Sequence, residues 1–210
     1  AKFPHPHDTW DVMRWEAATL DLAEACGLRT PRRRLIEVGG AAILLVERFD
    51  RTGDRRVPYL SGQSLIGSTP GAPSDYIELL EGLTAHGGDV TADLNELWRR
   101  IAFSIAVNNT DDHMRNHGFL RDGRGWTLSP VFDVNANPNP SSERATGIGG
   151  ATTPIESLNA LFQTASAFDI NDVDARRAWR DILAVTSGWR SFASAAGIAA
   201  PEQEAFAGVL

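Results

Sequence analysis

The 210-residue sequence is poor in cysteine and contains no long apolar run. Its single cysteine, Cys26, cannot form an internal disulfide, which is typical of a protein from a reducing cytoplasm. No stretch reaches the roughly 18 apolar residues of a membrane span, and the N-terminus has no signal-peptide pattern. These absences favour a cytoplasmic globular protein without membrane contact.

Clustered positive charge is also missing. The formal net charge is −7, and the basic run Arg32 to Arg34 is only three residues long. Proteins that bind nucleic acid or anionic membranes usually display clustered Lys and Arg, so we expect no direct binding to nucleic acid. Apolar residues make up 42% of the sequence, enough for the core of one large domain or two small lobes.

Hydrophobic periodicity predicts a small β-containing part followed by a larger helical part. A helix is expected over Asp8 to Cys26, with Gly27 as its end. Gly39-Gly40 predicts a hairpin between strands at Leu35 to Val38 and Ala41 to Glu47. Residues 51–73 are rich in Gly, Pro and Ser and are predicted to be irregular, apart from a short helix near residues 63–66.

The remainder is predicted to be mostly helical. Residues 135–153 lack periodicity and occupy the place of an activation-type segment. A helix is predicted over Tyr76 to Leu83, after a Ser74 cap. A second helix runs into Asn108 and carries an apolar stripe of Leu94, Leu97, Trp98, Ile101, Ala102 and Ile105. Four further helical segments are predicted at 155–168, 173–189, 192–196 and 202–209.

The strongest functional pattern lies in residues 108–138, which place three metal-competent side chains on a loop, a hairpin and a second loop. Asp111 and Asn116 are five residues apart, a spacing too wide for one helical face but suited to a compact loop. Asp122-Gly123 predicts a tight turn between two short apolar strands, and the second strand leads into Asp133. Because a hairpin brings its ends together, we predict that Asp133 lies beside Asp111 and Asn116.

These side chains follow the order that kinase catalysis uses: a loop Asp for the substrate hydroxyl, a loop Asn for one magnesium ion, and a later Asp for the metal on the phosphates. Mg²⁺ prefers few carboxylates together with phosphate oxygens and water. A single loop carboxylate is more often a cap or turn former, so only the combination predicts a phosphotransferase site. Asp112 is expected to be structural or solvent-facing.

His113 and His117 suggest a zinc site as an alternative, since their i, i+4 spacing could place both rings on one helical face. The pattern lacks a third ligand at a convincing spacing, and Gly118 ends any helix there. We expect His113 instead to brace the catalytic loop through a hydrogen bond to the backbone or to a carboxylate.

Lys2 and Glu16 form a second pair of interest. Glu16 lies close to the apolar stripe of its predicted helix, where an unpaired carboxylate would be costly. Kinases hold their phosphate-binding lysine with such a helix glutamate, and Lys2 could be that lysine. The alternative is a frayed, solvated Lys2 beside an exposed Glu16.

Five segments of the chain, in order, are AKFPHPHDTWDVMRWEAATLDLAEACGL, VERFDR, YLSGQSLIG, NNTDDHMRNHGFL and SPVFDV. Their order and spacing resemble the HipA-like serine/threonine kinases, the toxin half of bacterial toxin–antitoxin pairs. The resemblance implies an α+β, protein-kinase-like fold with two lobes. Residues 1–50 would form a truncated small lobe with its hinge near 47–51. Residues 51–210 would form a mostly helical large lobe with a catalytic loop at 108–118 and a metal-binding loop at 131–138.

The resemblance also implies roles for individual residues. Lys2 would contact the ATP phosphates, Glu47 and Phe49 would meet the adenine at the hinge, and Asp111 would be the catalytic aspartate. By the same comparison, Asn116 and Asp133 would hold Mg²⁺. The implied partners are a protein substrate, such as an aminoacyl-tRNA synthetase, and a small DNA-binding antitoxin.

The sequence departs from this family in one respect. Family members carry a Gly-rich phosphate loop before the lysine, whereas only Ala1 precedes Lys2, and the best remaining glycine cluster, Gly147 to Gly150, follows the metal aspartate. Backbone amides that would cradle the phosphates are then missing. We therefore expect a fragment of a kinase with weak ATP binding and no autophosphorylation, whose hairpin presents an unpaired edge and an uncovered apolar face.

The favoured function is transfer of the ATP γ-phosphate to a Ser or Thr of a protein. A small-molecule kinase of the aminoglycoside or choline type is one alternative, because it shares the loop Asp, the loop Asn and the later Asp. A binding module that keeps the kinase fold without catalysis is another. The sequence leaves the substrate, the antitoxin and the oligomeric state open.

Overall fold

The computed structural model describes residues 1–69 and 71–210. In chain order the elements are α1 (Val12–Ala25), β1 (Arg33–Val38), β2 (Ala41–Val46), β3 (Arg51–Thr52), β4 (Arg55–Arg56), β5 (Tyr59–Ser61), α2 (Gly62–Leu65), β6 (Ser74–Asp75), α3 (Tyr76–His86), α4 (Val90–Ala106), β7 (Gly118–Arg121), β8 (Trp126–Leu128), β9 (Thr146–Gly147), α5 (Pro154–Gln163), α6 (Asp172–Thr186), α7 (Trp189–Ala195) and α8 (Ala200–Phe206). Short 3₁₀ turns cover Met114–Asn116 and Ala165–Phe168.

The N-terminal part consists of α1 and the predicted hairpin. β1 and β2 pair in an antiparallel register that places Leu35 opposite Leu44, and both turn glycines, Gly39 and Gly40, have positive φ, as a tight hairpin turn requires. The expected unpaired edge of β2 is instead paired at Leu44. The N–H of Lys2 donates to the carbonyl of Leu44 (2.8 Å), and the N–H of Leu44 donates back (3.1 Å).

α1 begins at Val12 rather than at Asp8. Asp11 is its N-cap and accepts from the N–H of Arg14 (3.1 Å), which satisfies one of the free amides of the first turn. Asp8 is unavailable as a cap because its carboxylate accepts from the N–H of His5 (2.7 Å) in a local turn. The helix covers the face of the hairpin that carries Leu44, so this apolar face is not bare.

The C-terminal helices enclose the opposite side of α1. Every residue from Trp15 to Leu20 is buried, which is unusual for a helix at a protein surface. The Trp15 ring stacks on Phe206 of α8 with 3.8 Å between ring centroids, and its indole N–H donates to Glu202 (2.7 Å). Arg14 reaches the carbonyl of Ala196 after α7 (2.8 Å). Helices from the end of the chain therefore fix the position of α1.

α4 forms the centre of the helical part, and its predicted apolar stripe is buried from Leu94 to Ala102 and half-buried at Ile105. It also holds the strand that returns toward the functional loops. The carboxylate of Asp93 accepts from the N–H of Leu128 (3.1 Å), and the guanidinium of Arg100 donates to the carbonyl of Ser129 (2.7 Å). β7 and β8 form the predicted hairpin. β5 adds to it as a third strand, although it lies in the part of the chain that we predicted to be irregular.

The start of α3 corrects a second expectation. Ser74 is not its cap. Asp75 accepts from the N–H of Ile77 (2.9 Å), while Glu78 accepts from the N–H of Asp75 (2.9 Å), which makes a reciprocal capping box. Ser74 instead lies in β6, which pairs in parallel with β9.

The packing of α8 on α1 yields a stability prediction. Phe206→Ala should lower the free energy of unfolding by about 3–5 kcal/mol, because it removes a buried ring and leaves a cavity. Phe3→Ala is the matched control, since Phe3 is 65% exposed and its loss should change stability by less than about 0.5 kcal/mol. Urea denaturation measures both. Equal effects would show that α8 does not pack on α1 in solution.

Candidate active site

Lys2 lies between two carboxylates. Its ammonium donates to both oxygens of Glu16, at 2.6 and 2.8 Å, and to Oδ1 of Asp133 at 2.6 Å. Glu16 is only 1% exposed, which excludes the alternative of a solvated pair. Lys2 is also the only lysine in the sequence. The three residues join the β2 edge, the middle of α1 and the loop after β8.

Burial and charge act in opposite directions at this cluster. Burial alone would lower the pKa of the Lys2 ammonium, but the carboxylates of Glu16 and Asp133 outweigh it and raise that pKa. Burial raises the pKa of Glu16, and the ammonium of Lys2 offsets this only in part. The lysine is therefore firmly protonated, and it remains positive at any physiological pH.

Asp133 is held in a strained backbone conformation. Its φ is +59°, in the left-handed region that non-glycine residues rarely adopt. Such strain persists only where neighbouring contacts enforce it. Here the N–H of Asp133 donates to Glu16 (3.2 Å), and the N–H of Asn135 donates to the side chain of Asn109 (3.3 Å). The strain is thus concentrated at a residue predicted to bind metal.

The hairpin returns the chain as predicted, because the loops on either side of it are bonded to each other. The N–H of Asn137 donates to the carbonyl of Asn108 (3.0 Å), and the side-chain amide of Asn108 donates to the carbonyl of Asn137 (2.6 Å). Asn108 also has a positive φ, +49°. Asn116 and Val134 line the same small internal cavity, which places the two metal-competent loops side by side.

Asp111 and Asn116 are oriented differently within their loop. The amide nitrogen of Asn116 donates to the carbonyl of Asp111 (3.1 Å), so the Asn116 side-chain oxygen is left to bind something else. The Asp111 carboxylate is exposed and makes no hydrogen bond or ion pair with the described residues. The Asp111 carboxylate is therefore free to accept a proton, or a hydrogen bond from a hydroxyl group.

The residue next to Asp111 has the opposite environment. Asp112 is buried and accepts a hydrogen bond from the hydroxyl of Tyr76. Nε2 of His117 lies 3.2 Å from its carboxylate, a close contact that is not a hydrogen bond. Arg144 reaches this cluster from the segment after Asp133 and donates to Ser104 (2.5 Å). Burial alone would raise the pKa of Asp112, but His117 and Tyr76 outweigh it and lower the pKa to about 2.

This cluster supplies the brace that we expected from His113. We expected the His113 side chain to hydrogen-bond to the backbone or to a carboxylate. Its Nδ1 is buried and has no hydrogen-bond partner among residues 1–69 and 71–210, so the structure does not show that bond at Nδ1. His117, four residues on, is the histidine that contacts a buried carboxylate. The adjacent pair Asp111-Asp112 could have indicated this contact, because two neighbouring loop carboxylates commonly point in different directions. Here Asp111 is exposed and Asp112 is buried.

The proposed hinge residues lie between β2 and β3. Glu47 is exposed, and its N–H donates to the carbonyl of Arg32 (2.8 Å). The carbonyl of Glu47 and the N–H of Phe49 make no hydrogen bond with the described residues. Phe49 packs on Phe132, with 5.5 Å between ring centroids. An unused acceptor and an unused donor two residues apart suit the edge of a purine ring.

The glycine cluster after the metal loop is already occupied by the protein itself. The carboxylate of Asp75 accepts from the N–H of Gly149 (3.0 Å) and of Gly150 (2.7 Å). Both glycines have positive φ, a geometry that forms an anion-binding nest. Because Asp75 fills this nest, the cluster is not a phosphate loop. It fastens the activation-type segment to the start of α3.

Residues 1–69 and 71–210 hold no group of three or more His, Cys, Asp or Glu side chains arranged for a metal ion, so His113 and His117 gain no further zinc ligand. The oxygen of Asn116 and the carboxylate of Asp133 are a different donor set. One neutral amide oxygen with one carboxylate leaves most positions to phosphate and water, which fits Mg²⁺.

Comparison with known proteins assigns the chain to a family. Residues 1–189 match the HipA-like C-terminal domain. The chain belongs to this family. Two relatives are "Putative kinase Y4mE" of Sinorhizobium fredii, 27% identical over 203 residues (89% of this chain, 41% of the relative), and a "Putative kinase" of Haemophilus influenzae, 24% identical over 156 residues (65% and 45%). The HipA-like chain thus spans less than half the length of these relatives.

Two solved structures have a similar fold. HipA from the HipA, HipB and operator DNA complex of Shewanella oneidensis MR-1 has a TM-score of 0.71 at 18% identity, covering 98% of this chain and 56% of that one. The proinflammatory kinase CtkA of Helicobacter pylori has a TM-score of 0.59 at 12% identity, covering 100% and 90%. The α+β, kinase-like fold expected from the sequence is confirmed.

In the described part of this HipA-like chain, no helix meets the length and apolarity that a membrane crossing requires.

The buried Asp112 yields a pH prediction. A carboxyl whose pKa falls from 3.8 to about 2 on folding contributes about 2 kcal/mol of stability at neutral pH, which is lost as pH falls from about 4 through 2. Asp112→Asn should therefore be less stable at pH 6, with a gap to the parent protein that narrows toward pH 3. Asp54→Asn, at an exposed loop position, is the control. A pH-independent gap in urea denaturation would contradict the buried ionised carboxylate.

Proposed function

We propose that this chain is the catalytic core of an ATP-dependent serine/threonine protein kinase. The observation that carries the proposal is the Lys2, Glu16 and Asp133 cluster, together with an Asp111 carboxylate that is free of described partners on the adjoining loop. A buried glutamate that holds a lysine, a strained aspartate on that lysine and an unoccupied loop aspartate form the set that phosphoryl transfer needs. The family and its relatives named as kinases are consistent with it.

The proposed residue roles follow from the contacts. Glu16 holds the Lys2 ammonium toward the loop of Asp133, where the lysine can bind phosphate oxygens. The carbonyl of Glu47 and the N–H of Phe49 can bind the adenine edge. Asn116 and Asp133 would hold Mg²⁺, which neutralises charge on the phosphates when bound. Asp111 would accept the proton of the attacking hydroxyl, and its loop is fixed by the buried Asp112.

The partner proposal draws on one similar structure. The HipA of Shewanella oneidensis is in a complex with HipB and operator DNA. We propose that the protein containing this chain likewise binds a small DNA-binding antitoxin and phosphorylates a translation component, such as an aminoacyl-tRNA synthetase. A net charge of −7 favours contact with DNA through such a partner rather than directly.

Substitutions that remove the negative charge but keep the shape of the side chain test the proposed chemistry in the whole encoded protein. Asp111→Asn and Asp133→Asn should each lower phosphate transfer from radiolabelled ATP to protein by at least about 100-fold, because they remove the proton acceptor and a metal ligand. Both should keep the parent circular dichroism spectrum. Asp54→Asn is the matched control and should transfer phosphate normally.

The alternatives give different results in the same assay. Phosphate on an aminoglycoside or amino alcohol, with none on any protein, would assign a small-molecule kinase. Folded parent protein that fails to bind Mg²⁺-ATP in a calorimetric titration would assign a binding module without catalysis. Near-normal turnover by Asp111→Asn would refute the role of that carboxylate.

Lys2 can be tested directly for nucleotide contact in the whole encoded protein. An acyl-phosphate derivative of ATP transfers its acyl group to a lysine beside the bound phosphates. We expect mass spectrometry to find the label on the Lys2 peptide, and excess Mg²⁺-ATP to suppress it. Lys2→Arg keeps the charge and should lose the label. Labelling of Lys2 that ATP does not suppress would place the nucleotide elsewhere.

A further inference from the structure

A cavity of about 340 Å³ lies beside the catalytic loop, and none of the roles above uses it. One wall is formed by described residues between 63 and 74, the second by the catalytic loop just after Asp111, and the third by the segment after the metal loop. The lining residues are Gln63, Ser68, Thr69, Gly71, Ala72, Pro73, Ser74, His113, Met114, Arg115 and Ala145.

The walls of this cavity are firmly joined to the catalytic loop. The N–H of Gly62 donates to the carbonyl of His117 (2.6 Å), and a Cβ at Gly62 would lie 2.8 Å from the carbonyl oxygen of Met114, so α2 packs directly on the loop. On the far side, the N–H of Ala145 donates to the carbonyl of Thr110 (2.8 Å). The start of α2 and the segment at Ala145 are thus both hydrogen-bonded to the catalytic loop.

The position of the cavity relates it to the reaction. Within the loop, the N–H of His113 donates to the carbonyl of Asp111 (2.9 Å), so the His113 wall begins two residues after the free carboxylate. Lys2, Glu16 and the proposed hinge residues do not line it. A molecule in this cavity would therefore contact the loop two residues after Asp111 without occupying the proposed nucleotide site.

The lining has a distinct chemical character. It contains no carboxylate, although the chain carries 27 acidic residues against 20 basic ones. Arg115 is exposed and makes no hydrogen bond or ion pair with the described residues, whereas many other arginines of the chain are paired. Gln63, Ser68 and Ser74 add hydrogen-bonding side chains. Such a lining suits a polar chain segment with a negative charge.

We propose that this cavity is the acceptor subsite, which binds the segment of the protein substrate around the hydroxyl residue and pairs an acidic side chain of that segment with Arg115. The inference rests on the proposed kinase function and adds a substrate preference to it. A volume of about 340 Å³ is in the range of small ligand sites and accommodates a few residues of an extended peptide. Arg115 is then a specificity determinant, because it contacts the substrate beside the reacting hydroxyl.

Charge reversal tests the electrostatic part of this proposal. The whole encoded protein, with Mg²⁺-ATP, is offered serine peptides that are matched except for flanking Glu or Lys residues. The parent should prefer the acidic series. Arg115→Glu should raise KM for acidic peptides at least 10-fold and shift the preference toward the basic series, while Arg115→Lys should retain the acidic preference. Arg55→Glu, at an exposed position on β4, makes the same charge change away from the cavity and should leave the preference as in the parent.

A second variant tests the cavity independently of charge. Ala145 is an exposed lining residue, so Ala145→Trp can fill the space from outside without disturbing the core. It should raise KM for acidic and basic peptides alike. If the parent transfers phosphate but Arg115→Glu and Ala145→Trp leave peptide selectivity and KM unchanged, the subsite is wrong while the kinase function stands. If the parent transfers no phosphate to any peptide or protein, both proposals fail together.

Discussion

The buried carboxylate of Glu16 is the constraint on which the rest of the site depends. An ionised group in a protein interior is tolerated only when it is paired and hydrogen-bonded. Glu16 obtains its partners from two distant segments, the ammonium of Lys2 on the β2 edge and the N–H of Asp133 after β8. Satisfying one carboxylate therefore positions both the lysine and the aspartate to which we assign phosphate and metal binding. If either segment moved away, the buried carboxylate of Glu16 would lose a partner inside the apolar core.

The helix that carries Glu16 is itself held from outside the small lobe. Trp15 lies next to Glu16 in sequence, and it is fixed by stacking on Phe206 and by its hydrogen bond to Glu202. Such packing allows little rotation or translation of α1, because a shift would open voids in a close-packed core. In this chain the lysine–glutamate pair is consequently coupled to the packing of the C-terminal helices.

Local patterns carried most of what the sequence could predict. The hairpin at Gly39-Gly40, the stripe of α4 and the return of the second hairpin depend on neighbours within a few residues, and all three are confirmed. Glu16 could be identified because a charge beside an apolar stripe requires a partner. The strand pairings of β5 and β6 could not be predicted, because each is two or three residues long and its partner lies about 60–70 residues away. The cap at Asp75 was assigned one residue too early, since Ser74 and Asp75 are equally good cap residues.

Asp111 and Asp112 show why the sequence alone could not predict the environment of each side chain in the site. In the sequence they are two equivalent loop carboxylates, but one is free and exposed while the other is buried against Tyr76 and His117. The buried Asp112 anchors the loop to Tyr76. The positive φ of Asp133 is maintained by its N–H bond to Glu16 and by the bond from Asn135 to Asn109 of the neighbouring loop. Charged groups that are oriented before substrate arrives need no reorganisation during the reaction, and this is the main way in which proteins stabilise developing charge. The arrangement of an unpaired aspartate on a rigidly braced loop is therefore better suited to chemistry than to folding, because an exposed, unbonded Asp111 contributes almost nothing to stability.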